Sequence, residues 1–487
     1  MRAMQIKVGK LKTLRIRQFQ ISHCPGKHAM LSVEGYINDE ETDEVKRMSV
    51  SDTTVQIQLL TEHESKQWYG YVYDIEIQHM PHETYIRAKL ISQSVTMDKE
   101  KKTRSFQTEG TTIGQIIEYV CKDYDVKVNL QGTDQAMDKM IVQYEETDWE
   151  FIKRLASQLN EQVIVRPENV GLVLDIGLSE TKGTCREAPD MYTYRSDIQA
   201  LRRNMEYELG EADIDTIIFE STELYDIEDA VQTERGKFYL YKISSEIQTE
   251  ELVMKYTGYR KQNFKTPKES NTKIVGASLN GKVHAVSGSK VQVDLDVDAD
   301  NPLCGNKDFS YATVYSSESG TGWYCMPEIG DMVRVYFPSE KEKNAYAISS
   351  VHLDVQTNDS RSNPDIKSIS NAQNKQVVFA PDGILIQNTE NMYISLNDEN
   401  GITIVSDLPI CIHSDMNIAL SAGENIEIGG ARQVAIKQGE CATTIKEEGA
   451  PVEELPAPTT EDATILMSEG KITVSGVEFR LQENEGA

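Results

Sequence analysis

A few stretches carry residue types that could do chemistry. GASLNGKV, Gly276 to Val283, spaces Gly276, Gly281 and Lys282 as a phosphate-binding loop does, but the loop is one residue short. Val283 stands where a magnesium-binding Ser or Thr is needed, and the residues that follow alternate as a strand instead of opening a helix. DLDVDADN sets Asp294, Asp296, Asp298 and Asp300 two apart like a calcium loop, yet Ala299 and Gly305 fall where Gly and Glu are required. That run reads as a solvated strand end. His23, Cys24 and His28, and separately His79 and His82, lack the wider ligand set of a metal site and read as loop residues. Carboxylates are too abundant to single out a general acid and base. The expectation is a protein that is not an enzyme, with no catalytic residue, cofactor or metal.

Composition points the same way. The chain has 487 residues and a formal net charge of -28, which repels nucleic acid and anionic membrane surfaces. Seven scattered cysteines (Cys24, Cys121, Cys185, Cys304, Cys325, Cys411 and Cys441) include no CxxC pair, as in a chain made in a reducing cytoplasm. MRAMQIKVGKLKTLRIRQFQ alternates apolar with charged residues and lacks the apolar run of a signal peptide, and no segment reads as a membrane span.

The elements that would position functional residues follow in order. Residues 1–110 are rich in period-two stretches (LKTLRIRQFQI, TTVQIQLL, WYGYVYDIEIQ, TYIRAKLISQSV) and predict a β-rich first domain. Residues 111–264 predict an α+β domain. One helix begins behind a Thr near Thr111 and carries Ile113, Ile116, Ile117 and Val120 on one face. A second starts at Thr147 or Asp148 and carries Trp149, Ile152, Leu155, Ala156 and Leu159. TEELVMKYTGYRK, further on, also reads as helical, and KTPKESNTK as a linker. Short alternating segments over 274–355 predict a small barrel.

From Lys375 to Gln438 the chain divides into eight octets. Position four reads Val378, Ile386, Ile394, Ile402, Ile410, Ile418, Ile426 and Val434; position six includes Leu396, Ile404, Ile412, Leu420, Ile428 and Ile436. A 3.6-residue helix cannot sustain this period, so each octet is one short strand with an apolar face. Such strands must stack. One solution is a single-chain β-solenoid with three octets per coil. The other is a prism of three chains, each supplying one face, in which every octet pairs with octets of its neighbours; eight octets then form a rod on the order of 40 Å long. These position-four and position-six residues are the expected needle core and trimer interface. Residues 439–462 read as an acidic, Pro-rich linker and 463–487 as a β tip segment.

The β-rich start, the segment Tyr144, Glu146, Asp148, Phe151, Arg154, Leu155 and Ala156, the barrel and the repeat occur in an order that resembles the VgrG spike proteins of type VI secretion and the fused hub and spike of contractile phage tails. In the barrel, Trp323, Pro327, Gly330, Asp331, Val333 and Val335 match that family's aromatic, Pro, Gly-Asp and strand pattern. The resemblance implies a mainly β chain: β-barrel-like hub domains with an α+β part, an OB-fold barrel and a C-terminal triple-stranded β-helix, as a homotrimer. It implies a structural hub and membrane-piercing spike, partnered by tail tube and baseplate proteins and by a PAAR-like tip protein or effector, assembled in the cytoplasm into a particle that meets the target membrane mechanically. The lysozyme of some phage spikes has no room before Lys375, and the iron-binding histidines of some needle tips have no counterpart after His413. The alternative is a trimeric tail fibre or adhesin that recognises a surface glycan.

Overall fold

The computed structural model describes residues 5–50, 53–61, 64–180, 183–196, 214–248, 251–348, 363–431, 433–438, 441–447, 464–468 and 471–475. They fall into two compact units, Met1–Asp354 and Val355–Ala487.

In the first unit a twelve-stranded sheet runs through Gln5–Val8, Thr54–Leu60, Ser65–Met80, Glu83–Ser92, Met30–Ile37, Arg15–His23, Gly236–Gln248, Glu251–Tyr259, Asp215–Ser221 and Thr193–Ser196, with Cys185–Glu187 and Ala230–Thr233 branching from it. It crosses the expected boundary near residue 110. Ser22 and His23 pair with Ser244 and Ile243, so strands from both predicted hub domains share one sheet and one core. The segment expected to be a helix is the strand Glu251–Tyr259: Leu252, Met254 and Tyr256 are buried on one face, and this period of two outweighs the helical reading. Gly258 completes it, because a Cβ there would lie 2.8 Å from the Ile217 side chain.

Of three α-helices among the described residues, α1 (Thr42–Met48) lies on the hub sheet's core, whereas α2 (Ile113–Cys121) and α3 (Asp148–Gln158) form a separate core with the small sheet Val163–Val165, Leu172–Ile176 and Val126–Leu130. Thr112 caps α2 and Thr147 caps α3, each in a reciprocal box with the Gln115 or Glu150 three residues on. Thr147, not Asp148, is therefore the cap.

Five strands make the barrel: Asp308–Ser310, Lys290–Leu295, Ser278–Ser287, Met332–Tyr336 and Tyr346–Ile348. The two edges meet where Tyr311 bridges Ala347 and the Ala312 N–H donates to the Ala347 carbonyl at 2.8 Å, so the sheet closes on itself. Its core holds Val283, Val291, Val293, Phe309, Val333 and Val335. The strand Ile141–Thr147 joins this core to the helical one. Ile141 faces the helices, while Val142, with Met140 before it, is buried among the barrel residues. A strand covered on both faces leaves no solvent layer between hub and barrel.

In the second unit the strands Lys367–Ser370, Gln376–Ala380, Gly383–Thr389, Met392–Asn397 and Gly401–Ser406 form an antiparallel meander in chain order. Within one chain these octets pair in series as hairpins, not as a solenoid coil. The reason lies in the turns. Pro381-Asp382 and Glu390-Asn391 each make a two-residue connection, and Asp398–Asn400 closes a third with Gly401 at φ 75°. Residues 407–431 form no strand, and Gln433–Gln438, Cys441–Glu447, Thr464–Ser468 and Lys471–Ser475 make a four-stranded sheet. The alternation therefore continues past Gln438 into the segment expected to be a linker. Residues 448–463 and 476–487, which hold the rest of the predicted linker and tip, lie outside the described residues.

Candidate functional site

The motif residues around α3 build a polar junction inside the first unit. Asp148, fully buried, accepts hydrogen bonds from Lys102 Nζ at 2.7 Å, Arg104 Nη2 at 2.6 Å, Tyr124 OH at 2.8 Å and Gln143 Nε2 at 3.0 Å. Burial alone would raise its carboxyl, but the bonds from Lys102 and Gln143 and the Arg104 charge hold it below the usual carboxylate range. Nearly two turns on, Arg154 is buried with its Nε 2.9 Å and Nη2 2.8 Å from the two oxygens of Glu146. Its Nη2 also donates to the Val142 carbonyl at 2.6 Å, and its Nη1 to Glu342 of the barrel at 3.1 Å. Phe151 lies beneath the Arg154 guanidinium, 5.2 Å from ring centre to Cζ, and stacks on Phe106. Leu155 and Ala156 are fully buried, and the Tyr144 carbonyl accepts from Asn271 Nδ2 at 2.8 Å. The motif thus ties hub, helices and barrel together.

A second tie lies in the run that resembled a calcium loop. Asp298 is buried, not solvated: its carboxylate takes the Ser105 N–H at 2.6 Å and the Ser105 hydroxyl at 2.5 Å, while Asn301 donates to the Ser105 carbonyl at 2.6 Å. Sequence reasoning missed this because the partner is far away in the chain. GASLNGKV opens the strand Ser278–Ser287, with Lys282 paired to Asp294 in the ladder, so no helix N-terminus stands ready for a phosphate.

The histidines are not loop residues throughout. His23 ends the strand Arg15–His23 and His79 lies within Ser65–Met80. His28 Nδ1 is 2.7 Å from Ser94 Oγ and its Nε2 3.4 Å from Asp98 Oδ2, a grouping with the composition of a hydrolase triad. Ser94 is fully buried and Trp149 stacks on the imidazole at 4.5 Å, so no substrate carbonyl reaches the hydroxyl. The trio braces α3 against the hub sheet.

His23 supports a pH prediction. Burial, reinforced by the nearby Arg166 charge, lowers its pKa to about 4. The unfolded chain takes up a proton as pH falls through about 6.5 and the folded chain does not until about 4, so acidification favours unfolding across that window. Between pH 7 and pH 4.5 the wild type is expected to lose about 2 to 3 kcal/mol more than His23→Gln in urea titrations. His28, shifted the same way, and Glu168, pushed up to about 7 chiefly by burial, are common to both proteins and cancel in the comparison. Equal losses in the two proteins would show that His23 is charged in the fold.

Arg166 itself sits in a polar cavity of about 310 Å³ with Lys127, Asn129, Glu168, Asp175 and Asp226, ion-paired with Asp175 and Glu228. The cavity lining sets two basic side chains, Lys127 and Arg166, against five acidic ones, Glu168, Asp175, Asp226, Glu228 and Asp229. On the barrel, Val333 and Val335 of the matched pattern are core, Gly330 turns at φ 95°, and Asp331 accepts the Glu328 N–H at 2.9 Å. Trp323 instead faces solvent, as do Val314, Tyr315, Tyr324 and Ile329.

The octet residues lie in the second unit. Ile386, Ile394 and Ile404 are direct cross-strand neighbours, as are Ile384, Leu396 and Ile402; position four meets position six between the third and fourth octets, whereas between the second and third Ile386 meets Ile394, both at position four. This apolar column is open: Ile404 is 57% and Ile402 73% exposed. Ile410, Ile412, Ile418, Leu420, Ile426 and Ile428 are exposed as well, on residues without a strand. Val378 is a correction. It pairs with Leu385, whereas Val377 pairs with Ile386 and Phe379 with Ile384, so Val378 occupies the opposite face. The two-residue Pro381-Asp382 turn sets an odd register that a period of eight alone does not reveal. Val434 and Ile436 stand in register with Ile445 and Thr443.

Hub sheet, embedded helical core, closed small barrel and serial strands define a mainly β chain built from several sheets. Residues 31–159 match the family model of the phage tail baseplate hub (GPD), a span that contains α2, α3 and the Glu146–Arg154 junction. No curated protein matches the chain by sequence. Among solved structures, the chain is similar in fold to the E. coli c3393 protein, a component of the type VI secretion system with structural similarity to the T4 bacteriophage tail proteins gp27 and gp5. The identity is 12%, the TM-score 0.52, and the match covers 72% of this chain and 100% of that one. A chain of the Francisella PdpA-VgrG complex in its half-lidded form matches at 9% identity and a TM-score of 0.52, over 82% of this chain and 87% of that one. The lidless PdpA-VgrG complex gives 9%, 0.53, 82% and 97%. Residues 31–159 thus match a baseplate-hub family model and the chain has a mainly β, VgrG-like fold, as the sequence resemblance implied; a fibre or adhesin is not favoured.

Proposed function

We propose that the chain is the structural hub and membrane-piercing spike at the tip of a contractile injection system, that it acts as a homotrimer without enzymatic activity, and that it connects tail tube and baseplate to the needle tip. The observation that carries this reading is the pairing of a hub domain at residues 31–159 with an open apolar column at Ile386, Ile394, Leu396, Ile402 and Ile404. A single chain leaves that column in water. Each such side chain contributes roughly 1.5 to 3 kcal/mol when fully buried, before the entropy of ordering is charged. Three chains closing their columns on one another would bury them around one axis and cover the free sheet edges, which gives a stiff rod suited to axial load. The column includes Val377 and Phe379 in place of Val378.

Partners at the tube and baseplate follow from the same reading, as does a separate tip protein or effector beyond Gln438. Assembly into the particle from the cytoplasm fits a chain whose described helices include none long and apolar enough to cross a membrane. Sedimentation equilibrium of the purified chain tests the central claim. One species with the mass of three chains is expected; a monodisperse monomer at all concentrations would overturn it.

A further inference from the structure

The chain contains two Asn-Gly pairs, Asn280-Gly281 and Asn400-Gly401, and the fold holds them differently. In such a pair the main-chain nitrogen of the glycine can approach the asparagine side chain, because glycine has no Cβ in the way and tolerates the backbone angles required. Both asparagines are exposed, so access of water does not separate them. The backbone does.

Gly281 lies on the central strand of the barrel sheet. It is buried, pairs with Leu295 on one side and Val333 on the other, and a Cβ there would lie 2.5 Å from the Asp294 carbonyl oxygen. Turning its peptide toward the Asn280 side chain would break two ladders at once. Gly401 is exposed and opens the edge strand Gly401–Ser406, where it forms the last rung of the ladder with Asn397. It has φ 75°, and a Cβ there would meet nothing within 4 Å. One acceptor orders the connection before it: Asn397 Oδ1 takes the N–H groups of Glu399 at 3.1 Å and Asn400 at 2.9 Å, and Asn400 Nδ2 at 3.1 Å.

We infer that Asn400 is a site of spontaneous deamidation and that Asn280 is not. Hydroxide takes the Gly401 amide proton, and the nitrogen bonds to Asn400 Cγ. The Cγ–Nδ2 bond breaks, and the side-chain nitrogen takes a proton from water and leaves as ammonia. A cyclic imide remains. Water then opens it: cleavage of the new Cγ–N bond gives aspartate, and cleavage of the original peptide bond gives isoaspartate, in which the main chain runs through the side chain. The balance is water in and ammonia out, with no oxidant or cofactor.

The position gives the reaction a structural effect. Either product adds a carboxylate beside Asp398 and Glu399 and removes the Nδ2 donor to Asn397. Isoaspartate also adds a methylene to the main chain inside the connection that sets Ile402 opposite Leu396 and Ile404 opposite Ile394. Register in a hairpin follows from the length of its connection, so this product disturbs the pairing of Met392–Asn397 with Gly401–Ser406.

Ageing the purified full chain at physiological temperature in mildly alkaline buffer tests the inference, with conversion at each site read by peptide mapping and isoaspartate scored by enzymatic methylation. Conversion at Asn400 is expected to be at least about tenfold faster than at Asn280, whose backbone must first open locally. It should rise with pH, since hydroxide takes the proton. In urea the two rates should converge, because the difference comes from the fold. Hydrogen exchange within residues 392–406 should quicken in the aged wild type and stay constant in aged Asn400→Gln, whose longer side chain closes the ring poorly. Equal conversion at the two sites in the native chain overturns the inference. So does an Asn400 that converts in urea but stays intact in the native chain, which would mean that the turn holds Gly401 as firmly as the barrel holds Gly281.

Discussion

Arg154→Ala is expected to destabilise the first unit by about 3 to 5 kcal/mol, because it removes one partner of a buried ionic cluster and leaves the others charged. Glu146, itself buried, would lose both guanidinium bonds, the Val142 carbonyl would lose its donor, and Glu342 its link to the helix. Phe151 would lose the planar group that covers its ring. Urea unfolding followed by the fluorescence of buried Trp149 gives the measurement. Arg154→Lys keeps the charge but not the fork that meets both Glu146 oxygens, so it should recover only part of the loss. Arg154→Met combined with Glu146→Leu removes both charges and should be milder than Arg154→Ala alone. A loss below about 1 kcal/mol for Arg154→Ala would mean that the guanidinium is a surface group, in the range of exposed ion pairs.

The second large effect concerns association. Ile404→Asp is expected to abolish the trimer while leaving the hub's thermal transition in place. Ile404 is more than half exposed in one chain and stands beside Ile394, so a carboxylate there costs an isolated chain little. In three chains closed around one axis, three carboxylates would meet without a counter-charge, each with an effective desolvation penalty of several kcal/mol. Ile404→Val, which removes one methylene, should still assemble. Sedimentation velocity separates the outcomes, and an Ile404→Asp trimer of undiminished stability would show that the column faces water.

What the sequence made legible was local. A Thr near Thr111, and Thr147 or Asp148, announce α2 and α3, and Trp149, Ile152, Leu155, Ala156 and Leu159 fall on one face at helical spacing. The barrel strands were readable for the same reason. Leu252, Met254 and Tyr256 were misread because an acidic start followed by mixed apolar residues satisfies helical and strand patterns alike over so short a run. The junction of Ser22 and His23 with Ser244 and Ile243 had no local signature: contacts more than 200 residues apart are set by how the cores pack, not by any window of sequence. Asp298 was treated as solvated for the same reason, since its partner Ser105 belongs to another element. At the octets the period was plain. Val378 falls on the other face, because a single turn's length decides the register of its strand and no count of eights can supply that.

The strand Ile141–Thr147, with one face toward the helices and the other toward the barrel, has a consequence for inheritance. A domain can be shuffled between genes only where a cut leaves both pieces with finished surfaces. Severing this chain before the barrel would strip Met140 and Val142 from its core and leave Asp298 and Glu342 without Ser105 and Arg154. A cut between hub and barrel in this chain therefore leaves an unfinished surface on both pieces.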